Sequence, residues 1–349
     1  SRGAAKAGCW LNTGEGGLSP HHLQGGADIV FQIGTAKYGV RDVAGKLDDE
    51  KLLAVAAHTQ VKMFEIKISQ GAKPGKGGIL PGIKVTEVIA MTRGIPIGED
   101  SISPNGHADI RSVNQLLTMV AHIRELTGKP VGIKLVVGGT GFFDDLCEAI
   151  KLRGIEQFAP DFISLDSGDG GTGAAPPSLL DSVGLSIRET LPMVNDKLLE
   201  QGLRARIRLI AAGKLVTPTD VAWALCAGAD FIVSARGFMF ALGCIQAMQC
   251  NKNTCPTGVT THDKGLQQGL DPGDKAARVA NYVRNMEQEV GTIAHSCGVH
   301  EPRQLSRCHG RMVTELGQSV PLDVFYRKQR EQNPVFFRSG AAEQSVFEK

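Results

Sequence analysis

Three stretches of the chain combine residue types that do chemistry. The first is a run of thiols, Cys244, Cys250 and Cys255, spaced by five and then four residues, with Pro256 after the last. Zinc sites use paired short spacings and four ligands, and no second pair accompanies these cysteines. Three thiolates in a turn-rich loop suit an iron–sulfur site better, and three ligands suit a cluster of three irons. The plain alternative is that the thiols are small buried residues. The second stretch, VKMFEIKISQGAKPGKGGILPG (residues 61–82), sets Lys67, Gln70, Lys73 and Lys76 among glycines and prolines. A basic, glycine-rich loop at the end of a strand suits a carboxylate or phosphate; a solvated turn is the alternative. The third is residues 205–259, read as strand, glycine turn at Gly213, helix, strand, glycine turn at Gly237, short helix and then the thiols. Two glycine turns at the ends of neighbouring parallel strands suit a phosphate held by backbone N–H groups.

Single residues extend this set. Glu15 lies between glycines in NTGEGGLSPHH, and Arg93 opens a long irregular stretch expected to cover the site as a lid. Lys134 interrupts the apolar strand VGIKLVV; a lysine there is rarely buried without a role, and its charge suits a flavin's pyrimidine ring. In GDGGTG (residues 168–173) the backbone can approach a ligand closely, while Asp166 and Asp169 offer acceptors for sugar hydroxyls.

The elements that would position these residues alternate. Strands are expected at 8–12, 27–34, 61–68, 131–137, 162–166, 206–211 and 231–235, and helices at 48–60, 112–127, 142–152, 186–199 and 218–226. Alternation of this kind predicts a parallel sheet wrapped by helices. The tandem glycine turns favour a (β/α)8 barrel over an open doubly wound sheet. Seven strands are one short, so the first barrel strand is expected to be missing from this chain. A helix over 274–299 is expected to pack outside the barrel or against a second subunit of a homo-oligomer. From His300 the chain reads as polar and irregular, giving a division into a barrel, 1–299, and a tail, 300–349.

Composition sets the outer limits. An apolar share of 42 % over 349 residues supports one large core, and the formal charge of +2 gives no reason to invoke nucleic acid or an acidic membrane surface. No apolar run reaches the ~18 residues of a membrane span, and no signal peptide is apparent. Eight cysteines are too sparse for a disulfide scaffold, so reduced thiols in the cytoplasm are expected.

KISQGAKPGKGG, GDGGTGA and GCIQAMQCNKNTCPTGVTT resemble the synthase domain of glutamate synthase, over about Asn12 to Val299. The chain looks most similar to the stand-alone FMN-binding glutamate synthase family, which lacks the glutaminase domain. The resemblance implies an FMN-containing barrel with a 3Fe–4S cluster on Cys244, Cys250 and Cys255. It implies a 2-oxoglutarate site at Lys67, Gln70, Lys73 and Arg93, with Glu15 near the reacting carbon. Lys134 would approach the flavin, and Gln32 and Asp166 would join the cofactor contacts. Asp169, Gly170 and Gly171 would line the ribityl side, and Gly213, Arg236 and Gly237 would hold the phosphate. The activity implied is reductive amination of a 2-oxo acid through its imine, or the reverse. Electrons would come from a partner reductase through the cluster, and ammonia would be free or supplied by another subunit. An N-methylglutamate synthase-type subunit using methylamine is one alternative; a non-catalytic electron-transfer or assembly subunit is another.

Overall fold

Seven strands line up in sequence order in one all-parallel sheet: β1 (Leu11–Asn12), β2 (Ile29–Ile33), β3 (Val61–Lys67), β4 (Val131–Val136), β5 (Phe162–Asp166), β6 (Arg208–Ala212) and β7 (Phe231–Val233). The computed structural model describes residues 1–170 and 175–332. Each strand falls within or beside its expected range. These are apolar runs rather than alternating ones because the sheet is covered on both faces; all five residues of β2 are buried.

Ten helices matter to the fold: α1 (Arg2–Ala7), α2 (Asp49–Ala56), α3 (Glu87–Arg93), α4 (Val113–Thr127), α5 (Gly141–Arg153), α6 (Ile187–Glu200), α7 (Pro218–Ala227), α8 (Ala235–Leu242), α9 (Pro272–Ser296) and α10 (Leu322–Gln332). Their starts are written locally. Ser112 caps α4 by accepting from Gln115 N, and Thr217 caps α7, with Pro218 in the first helical turn. Helix α2 stops at Ala56, four residues before the expected end, because His58 accepts from Val61 N in the turn that starts β3.

The apolar residues divide into two clusters. The large one lies between sheet and helices and includes Phe31, Phe64, Ile133 and Leu165 from the strands with Leu116, Leu146 and Leu191 from the helices. The small one, Val30, Phe162 and Ile210, is joined by Trp10 beside β1 and by Phe231 and Val233 of β7. Residues next to both ends of the sheet therefore pack on the same three side chains. The sheet is curled into a barrel-like form around its own interior. Gly132 belongs to this interior packing, since a Cβ there would fall 2.3 Å from the Phe162 ring. Glu65, 2 % exposed, accepts from Asn12 Nδ2 at 2.9 Å, from Gln32 Nε2 at 2.6 Å and from Ser164 Oγ. One buried carboxylate thus ties β1, β2, β3 and β5.

Helices α1 and α9 close the outside. Gly3 lets α1 lie against α9, where a Cβ would come 2.6 Å from Val279 Cβ, and Arg284 of α9 donates to Lys6 O at 2.7 Å. The α9 stripe that faces inward includes Ala276, Val279, Ala280 and Val283. The expectation of an irregular segment after His300 is corrected for residues 300–332. Arg311–Val313 pairs antiparallel with Ser319–Pro321, α10 follows, and Leu305, Leu322 and Tyr326 enter the large core. The stretch reads as polar because only one face of a short hairpin and helix is used.

Candidate active site

Strand β3 ends at Lys67, and the loop after it bends back over the C-terminal end of the sheet. Gly71 permits the bend: a Cβ there would lie 1.7 Å from Ser167 O. Asp166, at the end of β5, accepts from Gly71 N at 3.0 Å. Asp166 therefore positions the basic loop, in addition to any role toward a ligand.

The loop walls a small cleft, open to solvent and lined by Glu15, Lys67, Gln70, Lys76 and Asn105 among others. At its inner end Lys67 Nζ donates to Glu15 Oε2 at 2.8 Å and to Gln70 Oε1 at 3.1 Å. Two glycines make room for Glu15: a Cβ at Gly34 would lie 2.7 Å from its Cβ, and one at Gly78 2.4 Å from Oε1. Burial raises the Glu15 pKa, but the charge and hydrogen bond of Lys67, with Lys73 and Arg93, outweigh it and hold the carboxyl below its ordinary value. The pKa of Lys73 is lowered, chiefly by burial.

Glu15, Lys67 and Gln70 are thus brought together; Lys73 and Arg93 do not line the cleft. Lys73 is 7 % exposed and donates to Gly77 O at 3.3 Å. Arg93 lies with its guanidinium 4.8 Å from the Tyr38 ring centroid and donates to Ser101 Oγ at 2.9 Å. Both act on the site through their charge on Glu15.

The expected lid is more regular than the sequence indicates. It contains α3 and a short antiparallel pair, Ile79–Leu80 with Ser101–Ile102. Residues 103–109 then strap across the site. Ser103 N donates to Gly78 O at 2.8 Å, Asn105 Oδ1 accepts from Gly77 N at 3.2 Å, and Thr35 Oγ1 donates to Pro104 O at 2.7 Å. Lys37, 1 % exposed and left-handed at φ 50°, pairs with Asp109 at 2.8 Å. His107 donates Nε2–H to Lys67 O at 2.9 Å, and burial beside Lys37 pushes its pKa down to about 4. The imidazole is neutral, and its Nδ1 has no partner among the described residues. Sequence reading missed Thr35, Asn105 and His107; the one signal for them is the turn sequence SPNG ahead of His107.

On the neighbouring strand β4, beside Lys67, Lys134 Nζ lies 3.8 Å from Asp166 Oδ2. Burial disfavours its charge, but Asp166, Glu65 and Glu15 more than compensate and raise its pKa. Gln32 is committed to Glu65. Asp169 is bonded to Ser167 Oγ, with Lys214 Nζ 3.5 Å away. Gly170 follows it in the same turn, and Gly171 lies outside the described residues. Gly213, at φ 150°, ends β6 against Ser167. Gly237 is not a turn glycine: it lies buried in the first turns of α8, where a Cβ would fall 2.1 Å from Tyr282 Oη.

These residues fit an anion such as a flavin phosphate. Helix α8 has no side-chain cap, because Ser234 Oγ donates instead to Leu215 O at 2.7 Å. Its first N–H groups remain available. Arg236, in the same turn, has no ion-pair or hydrogen-bond partner among the described residues.

The thiols are placed differently. Cys244, Cys250 and Cys255 follow α8 on a tightly wound loop, in which Gln246, Met248 and Asn253 have φ of 56°, 55° and 62°. Lys84, 8 % exposed, holds this loop from a distance in sequence, donating to Cys250 O at 2.7 Å and Thr260 O at 2.8 Å. Although burial opposes it, hydrogen bonds from Thr257 and Thr260 lower the Cys255 pKa to about 6, so that thiol ionises near neutrality. Among the described residues, however, no three Cys, His, Asp or Glu side chains gather as metal ligands do. The side chains as placed do not fit a three-thiolate cluster.

Residues 1–300 match a family model described as a conserved region in glutamate synthase. The chain is 41 % identical over 316 residues to a glutamate synthase large subunit-like protein, YerD, of Bacillus subtilis, covering 90 % of this chain and 59 % of that protein. It is 36 % identical over 308 residues to an archaeal glutamate synthase [NADPH] of Methanocaldococcus jannaschii, covering 87 % and 56 %. The chain thus spans less than two thirds of the length of these relatives. Among solved structures, a flavocytochrome b2 mutant with benzoylformate superposes with a TM-score of 0.53 at 16 % identity, covering 99 % of this chain and 71 % of that one. A likeness of that degree concerns the fold.

Proposed function

Because the chain belongs to the family defined by the conserved region of glutamate synthase, we propose that it is the FMN-binding, substrate-handling part of a glutamate-synthase-like oxidoreductase. The reaction is the reductive amination of a 2-oxo acid such as 2-oxoglutarate, or its reverse. The observation that carries this reading is the Glu15–Lys67–Gln70 constellation at the inner end of the cleft.

Reduction of a 2-imino acid adds a hydride to carbon and a proton to nitrogen, and bound FMN would supply the hydride. The rest falls to the chain's own residues. Lys67 and Gln70 supply a cation and an amide to the carboxylate next to the reacting carbon. Glu15, held ionised by Lys67, Lys73 and Arg93, would orient an incoming ammonium ion by its charge; the ammonia left when that ion loses a proton to solvent attacks the oxo carbon, and the oxo oxygen leaves as water to give the imine. The 103–109 strap and its neutral His107 fix the Lys67 backbone from the far side. Arg236, Gly213 and the uncapped end of α8 would take the flavin phosphate, and Lys134 would present its charge to the ring. A three-iron cluster fed by a partner reductase is the family's use of such thiols. The chemistry at the cleft requires only that reducing equivalents reach the flavin. A relay without catalysis has no use for a carboxylate-binding cleft beside the flavin site, which favours the enzymatic reading.

The test is an absorption spectrum of the purified full chain before and after dithionite, followed by turnover of 2-oxoglutarate with ammonium. Flavin bands are expected, and Arg236→Gln should lose them. Glu15→Gln should keep the flavin and lose turnover about 10²-fold or more. A folded, flavin-loaded protein that turns over no 2-oxo acid or amino acid would sink the proposal.

A further inference from the structure

Three cysteines outside the candidate site converge from three elements. Cys226 is on α7 and 6 % exposed, Cys297 is half-buried at the C-terminal cap of α9, and Cys308 lies in the turn ahead of the Arg311–Val313 strand. Gly310 shows how closely that turn sits on α7: a Cβ there would lie 3.3 Å from Cys226 Cβ and 2.5 Å from Leu322 Cδ1. Gly310 O also accepts from Leu322 N at 3.0 Å, which ties the turn to the first residue of α10. Cys308 stands two residues before this contact. Of the eight cysteines it alone is exposed, and its Sγ lies 3.1 Å from Ser306 Oγ. Burial, and then the charges of Cys297 and Cys308, push the Cys226 pKa up to about 11. Both other thiols are thus within electrostatic reach of Cys226, which stays protonated at neutral pH.

We propose that Cys308 and Cys226 are an oxidative modification site, at which a disulfide staples the 302–332 segment to helix α7. Cys308 lies beyond residue 300, where the family match ends, and the site does not depend on the function proposed above. The oxidant is hydrogen peroxide. The Cys308 sulfur attacks one peroxide oxygen: an S–O bond forms, the O–O bond breaks, and the departing hydroxide takes up the thiol proton as water. Cys308 is oxidised by two electrons to the sulfenic acid. The Cys226 sulfur then attacks the Cys308 sulfur. The S–S bond forms, the S–O bond breaks, and the hydroxyl leaves with the Cys226 proton as a second water. Two thiols and one peroxide give one disulfide and two waters. Exposure assigns the first step to Cys308, and burial spares Cys226 for the second. A disulfide needs its Cβ atoms roughly 4 Å apart, and the exposed Ser306–His309 turn, held at its base on α7 by Gly310, supplies the movement that brings Cys308 in. Cys297 is the competing partner, but the turn is seated on Cys226.

The test treats the purified full chain with hydrogen peroxide, blocks the remaining thiols and analyses its tryptic peptides by mass spectrometry without reduction. Residues 215–236 carry Cys226, 285–303 carry Cys297 and 308–311 carry Cys308, so each pairing has its own mass. A species linking 215–236 to 308–311 is expected, and a phosphine reductant should remove it. The oxidised protein should melt about 5 °C above the reduced one. Cys308→Ser, a change at an exposed position, should abolish both the linked species and the shift, whereas Cys297→Ser should leave both in place. Cys308 recovered as sulfinic or sulfonic acid, with Cys226 still a free thiol, would overturn the proposal. Linkage of 308–311 to 285–303, or to a second copy of itself, would overturn it as well. The expected link without a gain in melting temperature would show that the disulfide does not hold the segment, and the staple would fall.

Discussion

A carboxylate set between three cations titrates differently from one in solution, and Glu15 is so placed. Its pKa in the folded chain lies below the unfolded value of about 4.3. The sign follows: its attraction to Lys67, Lys73 and Arg93 contributes fully above the unfolded pKa and is lost as pH falls through the folded one. Glu15→Gln should therefore melt at a lower temperature than wild type near pH 7, with the gap closing on acidification below about pH 4. Paired melting curves from pH 7 to 3 check this, and a gap that ignores pH would show that the charge is not what holds Glu15. At this scale the sequence was informative about identity and less so about direction. Glu15, Lys67 and Gln70 meet as expected. Lys73 and Arg93 turn to Gly77 and Ser101 instead, because long flexible side chains are placed by whichever acceptor or ring packs nearest, and spacing does not encode that. Asn105 and His107 lie in a turn sequence with no periodicity to mark them, and only the strap's bonds to Gly77 and Lys67 show their part in the site.

The elements of the barrel were legible because parallel strands covered on both faces leave continuous apolar runs, and helix starts carry their caps. Long-range ties between loops were not. Lys84 sits 166 residues from Cys250, in a stretch whose sequence resembles an ordinary short turn. Yet it is buried and bonded to both ends of the thiol loop. Burial lowers its pKa, and Cys250 and Cys255 counteract that. Removing it should free a loop that holds three residues in left-handed conformations. Lys84→Met is expected to cost about 3 kcal/mol in unfolding free energy and to raise hydrogen exchange over residues 250–260 while leaving β1–β7 protected. Unchanged exchange there would mean that the loop's own turns suffice to hold it. Gly237 is instructive for the same reason: glycine at a strand end reads as a turn, but here it serves a close approach by Tyr282 from α9, a contact made across the fold.

At the scale of the whole molecule, residues 302–332 belong to the packed structure. Leu322 is fully buried and Tyr326 is 3 % exposed against the large core, while Arg307 pairs with Asp196 at 2.7 Å. Leu322→Ala should lower stability by about 3 kcal/mol, measurable by urea denaturation; a loss under about 0.5 kcal/mol would mean that this segment lies loosely on the barrel. The hairpin and α10 escaped the sequence reading because a short amphipathic segment with a narrow apolar stripe looks like tail in composition. The contact between α1 and α9 has a different kind of consequence, one of time. Helix α1 leaves the ribosome well before α9, and the face that receives Gly3 is built around Val279. At synthesis rates of 5–20 residues per second, roughly 15–55 s separate the two. Through that interval α1 has no surface to dock on, and at six residues it is too short to persist alone. Helix α1 therefore settles only after α9 has been made.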